Sequence, residues 1–370
     1  MFLIAVRNLF QEKTRLLISV GGVAFSIVLI MVLTGLYRGW NDKMGQYIRS
    51  VPADLWVMQD GTEDMFHTPS VLPLDYESKI ADLDGIASVK PFSGRRVAFH
   101  TANQQDVGLY IVAYDAERQT GLPAAIATGQ NVPQASEIIV DRITAKNKNI
   151  KINDSLDIAG QKFKVVGLSE GGDVVTFSFA FAAKEDAEQI LRLPNSTNFF
   201  TVQLKNNTDP NQAISNIKNN LPGVDAVTKK QFVSNNTKLI RESFLPVILV
   251  LLIIGTVVGT AVIGLTIFTS VVEKIREYGV LKAIGMSHRQ LYGVVIKQAM
   301  IAGLTGFATG SLIAFGLQAT VGDFVPQFVS QINALDMLWV FGLTLAMATL
   351  ASYMPIRRIA DVDPAEVFKA

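Results

Sequence analysis

Four stretches without a charged residue, one near the N-terminus and three in the last third, leave this chain few ways to fold. They are Leu16–Tyr37, Phe244–Val272, Gln298–Gly322 and Met337–Ile356. Each reaches the roughly 20 residues that cross a bilayer as a helix. Hydrocarbon offers the backbone no hydrogen-bond partners, so a spanning segment must satisfy its own. Residues 41–241 between the first and second stretches are of mixed polarity. The expected fold is a membrane protein with four transmembrane helices and a large α+β extracytoplasmic domain between helices one and two. The expected divisions are 1–40 (a cytoplasmic N-terminal helix and the first span), 41–241 (the domain) and 242–370 (three spans, a cytoplasmic loop at 273–290 and a tail).

Composition narrows the function. The chain has 370 residues, 49% of them hydrophobic, and a mean hydropathy of +0.31, high for an ordinary soluble protein and low for spans alone. Its net charge of +1 gives no reason to expect nucleic acid as a partner. It has no cysteine, which removes disulfides, thiolate catalysis and cysteine metal sites. The first stretch exceeds a signal-peptide core and lacks a small-x-small cleavage site, so it reads as an uncleaved span.

Basic residues set the expected orientation. Arg7, Lys13 and Arg15 precede span one. Lys274, Arg276, Lys282 and Arg289 lie between spans two and three, and Arg357, Arg358 and Lys369 follow span four. The stretch Asp323 to Asp336 has no Lys or Arg. Both termini are therefore expected in the cytoplasm and the domain outside, with Tyr37 and Trp40 at the outer interface. As a helix Phe244–Val272 would be about 43 Å long, against a hydrocarbon core of about 30 Å. It must tilt, or project as a stalk.

Within the domain, strands are expected at 54–59, 96–101, 108–114, 137–141, 155–158, 163–168, 174–181 and 199–204. Helices are expected at 75–83, 184–193 and 209–220, the last with Asp209 as N-cap and Pro210 at its first position. The strand-rich part, 115–181, reads as a subdomain set into a helix-containing base. Chemistry is sparse. His67 and His100 have no second ligand at metal spacing. Gly167-Leu-Ser169-Glu-Gly171 matches a nucleophile elbow, but a strand rather than a helix follows it, so it reads as a hairpin loop. No catalytic or metal residues and no intrinsic cofactor are expected.

The spans carry no ionisable residue suited to ion coupling. Lys297 at the inner edge of span three snorkels more readily than it relays protons. The chain also has no Gly-Lys dipeptide and so no phosphate-binding P-loop. ATP, if it drives the protein, binds another polypeptide. Gly255 and Gly259 form a GxxxG in span two, extended by Gly264. Ala302, Gly306, Gly310 and Ala314 form a similar stripe in span three. Such stripes let helices approach within a chain or between chains.

After span two, Glu273 to Gln290 reads as a short amphipathic helix stopped at Gly285. Ser287 and Gln290 then make a capping box for span three. Arg276-Glu277-x-Gly279-x-Leu281-Lys282-Ala283-x-Gly285-x-Ser287 resembles the segment between spans two and three of the FtsX-like, MacB-type ABC transporter permeases. Pro355-x-Arg357-Arg358-x-Ala360-x-x-Asp363-Pro364-Ala365-Glu366 is similar to their terminal motif, and Ala5-x-Arg7-Asn8-Leu9 to their start. Glu137–Asp141, Asn153-Asp154 and Val165-Val166-Gly167 look like the strand-rich part of their external domain. Residues 42–73 are less typical, and Asn153 stands where Gly is common.

The resemblance implies a homodimer docked on separate ATPase subunits, with a periplasmic adaptor in some members. Glu273, Arg276, Glu277, Gly279, Leu281, Lys282 and Gly285 would form the ATPase-coupling segment. ATP-driven closure would move span two and shift the external domain, a mechanism called mechanotransmission. The implied function is export of an amphipathic substrate from the outer leaflet or periplasm. The alternative is a mechanotransmitter that moves nothing and regulates an external enzyme. Leu33–Trp40 and Val51–Leu55 resemble the haem-export and heterocyst-glycolipid-export branches. That makes haem a candidate substrate, with Met31 and Glu242 near the outer face as its candidate ligands. The alternative is that Met31 packs against a neighbouring helix and that Glu242 is solvated or paired with Arg241.

Overall fold

The structure is a computed structural model that describes residues 13–100, 106–174, 177–325 and 328–360. The motif at Ala5–Leu9 and the expected cap at Asp363–Glu366 lie outside the described residues, as does the side chain of His100. Two compact units divide the chain: 1–39 with 243–370, and 40–242.

The first unit contains the membrane-crossing parts of four long apolar helices. Their shared core includes Ile27, Ile30, Ile263, Val295, Val340 and Met347, all buried. Span two turns only a narrow stripe inward. Val250, Ile253, Val257 and Leu265 on it are each more than half exposed, as suits a surface wetted by lipid. The first helix runs Lys13–Ser50, 38 residues. Helical backbone also runs from Lys229 to Glu273, 45 residues. Neither length fits a bilayer at ordinary tilts, and the excess at Trp40–Ser50 and Lys229–Glu242 is polar and charged. Pro246 has no N–H to offer the Glu242 carbonyl and its ring crowds that oxygen. There the backbone loosens into a π-turn, Ile240–Phe244, before Leu245–Glu273 resumes as α-helix.

The third span, His288–Phe324, starts with the expected capping box of Ser287 and Gln290, the Ser287 N–H donating to Gln290 Oε1 at 2.9 Å. The fourth, Ala334–Ala351, has a second capping box of Asn333 and Asp336. A short helix, Tyr353–Ala360, follows it.

The second unit holds two sheets. An antiparallel sheet has the order Val224–Thr228, Leu55–Gln59, Phe199–Leu204, Ile86–Phe92. Leu55, Val57, Phe200 and Val202 on one face pack on Ile80, Ala213 and Ile217 from the helices Tyr76–Ala81 and Pro210–Asn220. Asp209 caps the latter, accepting from the Asn211 N–H at 3.0 Å. Trp56, Phe92 and Phe199 are buried as well. The second sheet is mixed and begins at Gly94, earlier than the subdomain boundary expected at 115. Its order is Gly94–His100, Asp106–Tyr114, Ser178–Ala183, Glu137–Asp141, Gln161–Glu170, Ala125–Gly129, with Ser155–Ile158 paired to Gln161–Glu170. Two of its pairings are parallel.

The Gly167–Gly171 match is not a hairpin loop. Gly167, Leu168, Ser169 and Glu170 belong to a strand whose residues pair on both sides, and Ser169 is buried in it. A strand interior cannot present a hydroxyl as an elbow does.

Candidate functional site

The coupling segment folds as a helix over Ile275–Ala283, with Glu273 the last residue of the preceding helix. Gly285 closes it at φ +97°, a conformation that a side chain would strain. The structure divides the candidate residues by role. Glu273, Arg276, Glu277 and Gly285 are exposed. Gly279 is buried, and Leu281 packs on the span core with Tyr278. Lys282 reaches the Ala360 carbonyl at 3.5 Å. Gly279, Leu281 and Lys282 thus fix the helix to its own bundle, and the outward face belongs to the others. Two residues that the sequence reading passed over share that face: Val280 is 43% exposed and Ile284 73%. Apolar side chains beside Arg276 and Glu277, outside the spans, make a patch suited to a protein partner. Burial pushes the Tyr278 phenol up to about 12, with Gln298 pulling the other way.

A second feature, invisible in the sequence, ties span one to span four. Both terminal nitrogens of Arg38 donate to the two carboxylate oxygens of Asp336, one of them at 2.9 Å. The Asp336 side chain is 2% exposed and that of Arg38 34%. The Asn333 N–H, at 2.8 Å, and Trp339 Nε1, at 3.4 Å, also donate to Asp336. The loop before span four adds a bond from the Gln331 N–H to the Gly35 carbonyl, 3.0 Å. The glycine stripes pack within the chain. A Cβ on Gly259 would collide with Met347 of span four, whereas one on Gly255 would make ordinary contact with Leu29 and Ile30 at 3.5 Å. A Cβ on Gly310 would lie 2.7 Å from the Ala24 carbonyl oxygen.

In the second unit, residues of the first helix and of Lys229–Leu239 share one aromatic cluster. Phe232, from the helix Lys229–Leu239, stacks on Trp56 with ring centroids 4.8 Å apart. Trp56 meets Phe92 edge-on at 5.2 Å, and Phe92 lies 6.2 Å from Tyr47 of the first helix. Tyr47 lies 4.2 Å from Phe179 of the second sheet, and its hydroxyl donates to the Leu122 carbonyl at 3.2 Å. Tyr47 is thus in ring contact with both sheets. Lys229 Nζ donates to the Val51 carbonyl at 3.0 Å, just past the end of the first helix. Asn236 Oδ1 accepts from the Met65 N–H at 2.9 Å. The sequence signal was the density of aromatics in 47–66, 92 and 177–199, which local periodicity does not reveal as one cluster.

The candidate substrate residues fall in different units. Met31 is fully buried among its own helices, and its sulfur accepts a hydrogen bond from Ser311 at 3.5 Å. This burial matches the packing alternative for Met31, with the thioether filling the bundle core. Glu242 sits exposed in the π-turn. The other groups with chemical potential are accounted for locally. His67 Nδ1 lies 3.2 Å from Asp64 Oδ1. Burial pushes the Asp141 carboxyl up, but backbone N–H groups of Ile143 and Gly172 occupy its oxygens at 2.9 and 3.0 Å, so it serves as a helix cap. Among the described residues no three His, Asp or Glu gather as metal ligands do.

Residues 16–220 match the MacB-like periplasmic core domain, and residues 247–364 match the FtsX-like permease C-terminal family. The chain belongs to the FtsX-like, MacB-type family of ABC transporter permeases. It is a multi-pass membrane protein. An uncharacterized ABC transporter permease of Mycobacterium bovis is 23% identical over 100% of this chain and 99% of its own. A Staphylococcus haemolyticus protein provisionally named a hemin transport system permease, HrtB, is 23% identical over 91% of each chain. A macrolide export ATP-binding/permease protein, MacB, of Rhodopseudomonas palustris is 28% identical over 36% of this chain and 22% of its own.

Proposed function

We propose that this permease is the membrane subunit of an ATP-driven exporter that works by mechanotransmission. Both termini and the coupling helix face the cytoplasm, and the domain lies outside. The permease acts as a homodimer. A separate ATPase subunit hydrolyses ATP and docks on the face formed by Arg276, Glu277, Val280 and Ile284. Its closure moves the spans, and the projecting helices carry the movement into the domain. The observation that carries this reading is the seating of Tyr47 and Phe232, one from each projecting helix, in a single aromatic core. A rigid helix ending in a packed core transmits displacement because such cores deform little.

The substrate is an amphipathic molecule taken from the outer leaflet or periplasm. Haem is the candidate supported by the name of the staphylococcal relative. With Met31 inside the bundle, Glu242 is the exposed group of the original pair, and haem would be held mainly through its apolar body.

The test is ATP hydrolysis by the permease reconstituted with its ABC ATPase partner, titrated with haem. Ile284→Asp should lower permease-stimulated hydrolysis about tenfold by charging a docking face, with the permease still folded. Unchanged stimulation would refute the docking face. Stimulated hydrolysis that haem never alters would keep the permease and remove haem.

A further inference from the structure

We propose that the groove between spans two and four is a binding site for one anionic phospholipid. The groove has a volume of 730 Å³, within the range of small-molecule sites. Its walls run from Thr256 to Phe268 on span two and from Leu350 to Met354 at the end of span four. Thirteen helical residues span about 18 Å, close to the roughly 15 Å that one leaflet contributes to the hydrocarbon core. The lining is apolar. The hydroxyls of Thr256 and Thr260 are turned back to the carbonyls of Leu252 and Thr256, each at 2.8 Å, and offer nothing to a polar ligand. Ala261 and Gly264 leave the floor open, and Gly264 lies against the Ala351 backbone.

One end of the groove is basic. Tyr353 lines it, and the Arg357 guanidinium stacks over the Tyr353 ring, 4.9 Å from its centroid. Arg357 and Arg358 are exposed on the short helix whose Pro355 and Ile359 are buried. Arg357 is one turn beyond Tyr353 and its guanidinium reaches back over that ring, which sets a positive charge at the end of the groove. A leaflet-long apolar slot ending in a held guanidinium fits an acyl chain below a phosphate. A second copy of the chain would bring another apolar helix and leave Arg357 without a partner.

The test is native mass spectrometry of the full-length protein with phosphatidylglycerol or phosphatidylcholine added at matched concentrations. One phosphatidylglycerol should be retained in preference to phosphatidylcholine. Arg357→Ala should weaken its retention about fivefold, the worth of one basic residue at a lipid surface. Ala261→Phe should abolish retention by filling the slot, and Leu312→Phe on the exposed face of span three should not. Equal retention of both lipids would overturn the site, as would retention unaffected by either groove variant. Lipid retention unchanged while Ala261→Phe abolishes dimers would assign the groove to a subunit interface and equally overturn it. Arg357 lies on the surface, so its variant stays informative if Ala261→Phe does not fold.

Discussion

Replacing Arg38 by Met should be among the most costly single changes in the span unit. Among the described residues, the guanidinium supplies two of the four hydrogen bonds to Asp336, and both of those from a charged donor. Without it a carboxylate 2% exposed keeps one backbone N–H and the indole N–H. Removing one partner of a buried pair typically costs about 3–5 kcal/mol, because the remaining charge is uncompensated. The reverse change, Asp336→Leu, should cost less, about 1–3 kcal/mol. Arg38 is a third exposed and can turn to water or headgroups. The double variant Arg38→Met/Asp336→Leu should be more stable than Arg38→Met alone, since the stranded charge has gone. Unfolding free energies of the four proteins in mixed micelles form a double-mutant cycle. Additive losses, or a loss below about 1 kcal/mol for Arg38→Met, would show that the pair is solvent-screened and would refute the argument.

Three further outcomes follow from the geometry. Tyr47→Ala should destabilise the inserted domain by about 3–5 kcal/mol, as deletion of a buried ring does. Tyr47→Phe should cost only the bond to Leu122, about 1 kcal/mol; equal losses in denaturant unfolding would contradict the packing role. Tyr278 binds its proton more tightly when folded, its value rising from 10.0 to about 12. Its contribution to stability is therefore complete below pH 10 and lost between pH 10 and 12, at up to about 1.4 kcal/mol per pH unit. Tyr278→Phe should lessen the loss over that window by its share, and an unchanged slope would place the titration elsewhere. Gly310→Val should lower the unfolding midpoint through overpacking worth about 1–3 kcal/mol, while Gly316→Val, with nothing within 4 Å, should not. Equal effects would mean that helix propensity rather than close approach decides.

The elements that the sequence showed are those with local signals. Ser287 with Gln290 and Asp209 with Pro210 announce helix starts through residues three apart or adjacent, and both starts are where expected. Missed elements lacked such signals. Ile86–Phe92 contains Pro91, which argues against a strand, yet it forms the sheet edge, where a missing N–H is tolerated. Lys229–Leu239 is polar with no apolar stripe, and its place is set by Phe232 in the aromatic core. Ala125–Gly129 is exposed along most of its length and so shows no alternation. The helix Arg142–Lys148 had a usable cue in Asp141, its N-cap.

Legible in the chain alone were the four spans, the large domain between the first two, the helix between spans two and three, and the family motifs. Each depends on hydropathy or spacing within a few tens of residues, which the chain carries regardless of its fold. Tertiary packing alone brought Asp336 to Arg38 across 298 residues, turned Met31 inward, and left Val280 and Ile284 exposed beside Arg276 and Glu277. It also gathered Tyr47, Trp56, Phe179 and Phe232 into one core. An ion pair or a ring stack between distant segments leaves no periodicity in either, because its free energy arises only once packing brings them together and excludes water.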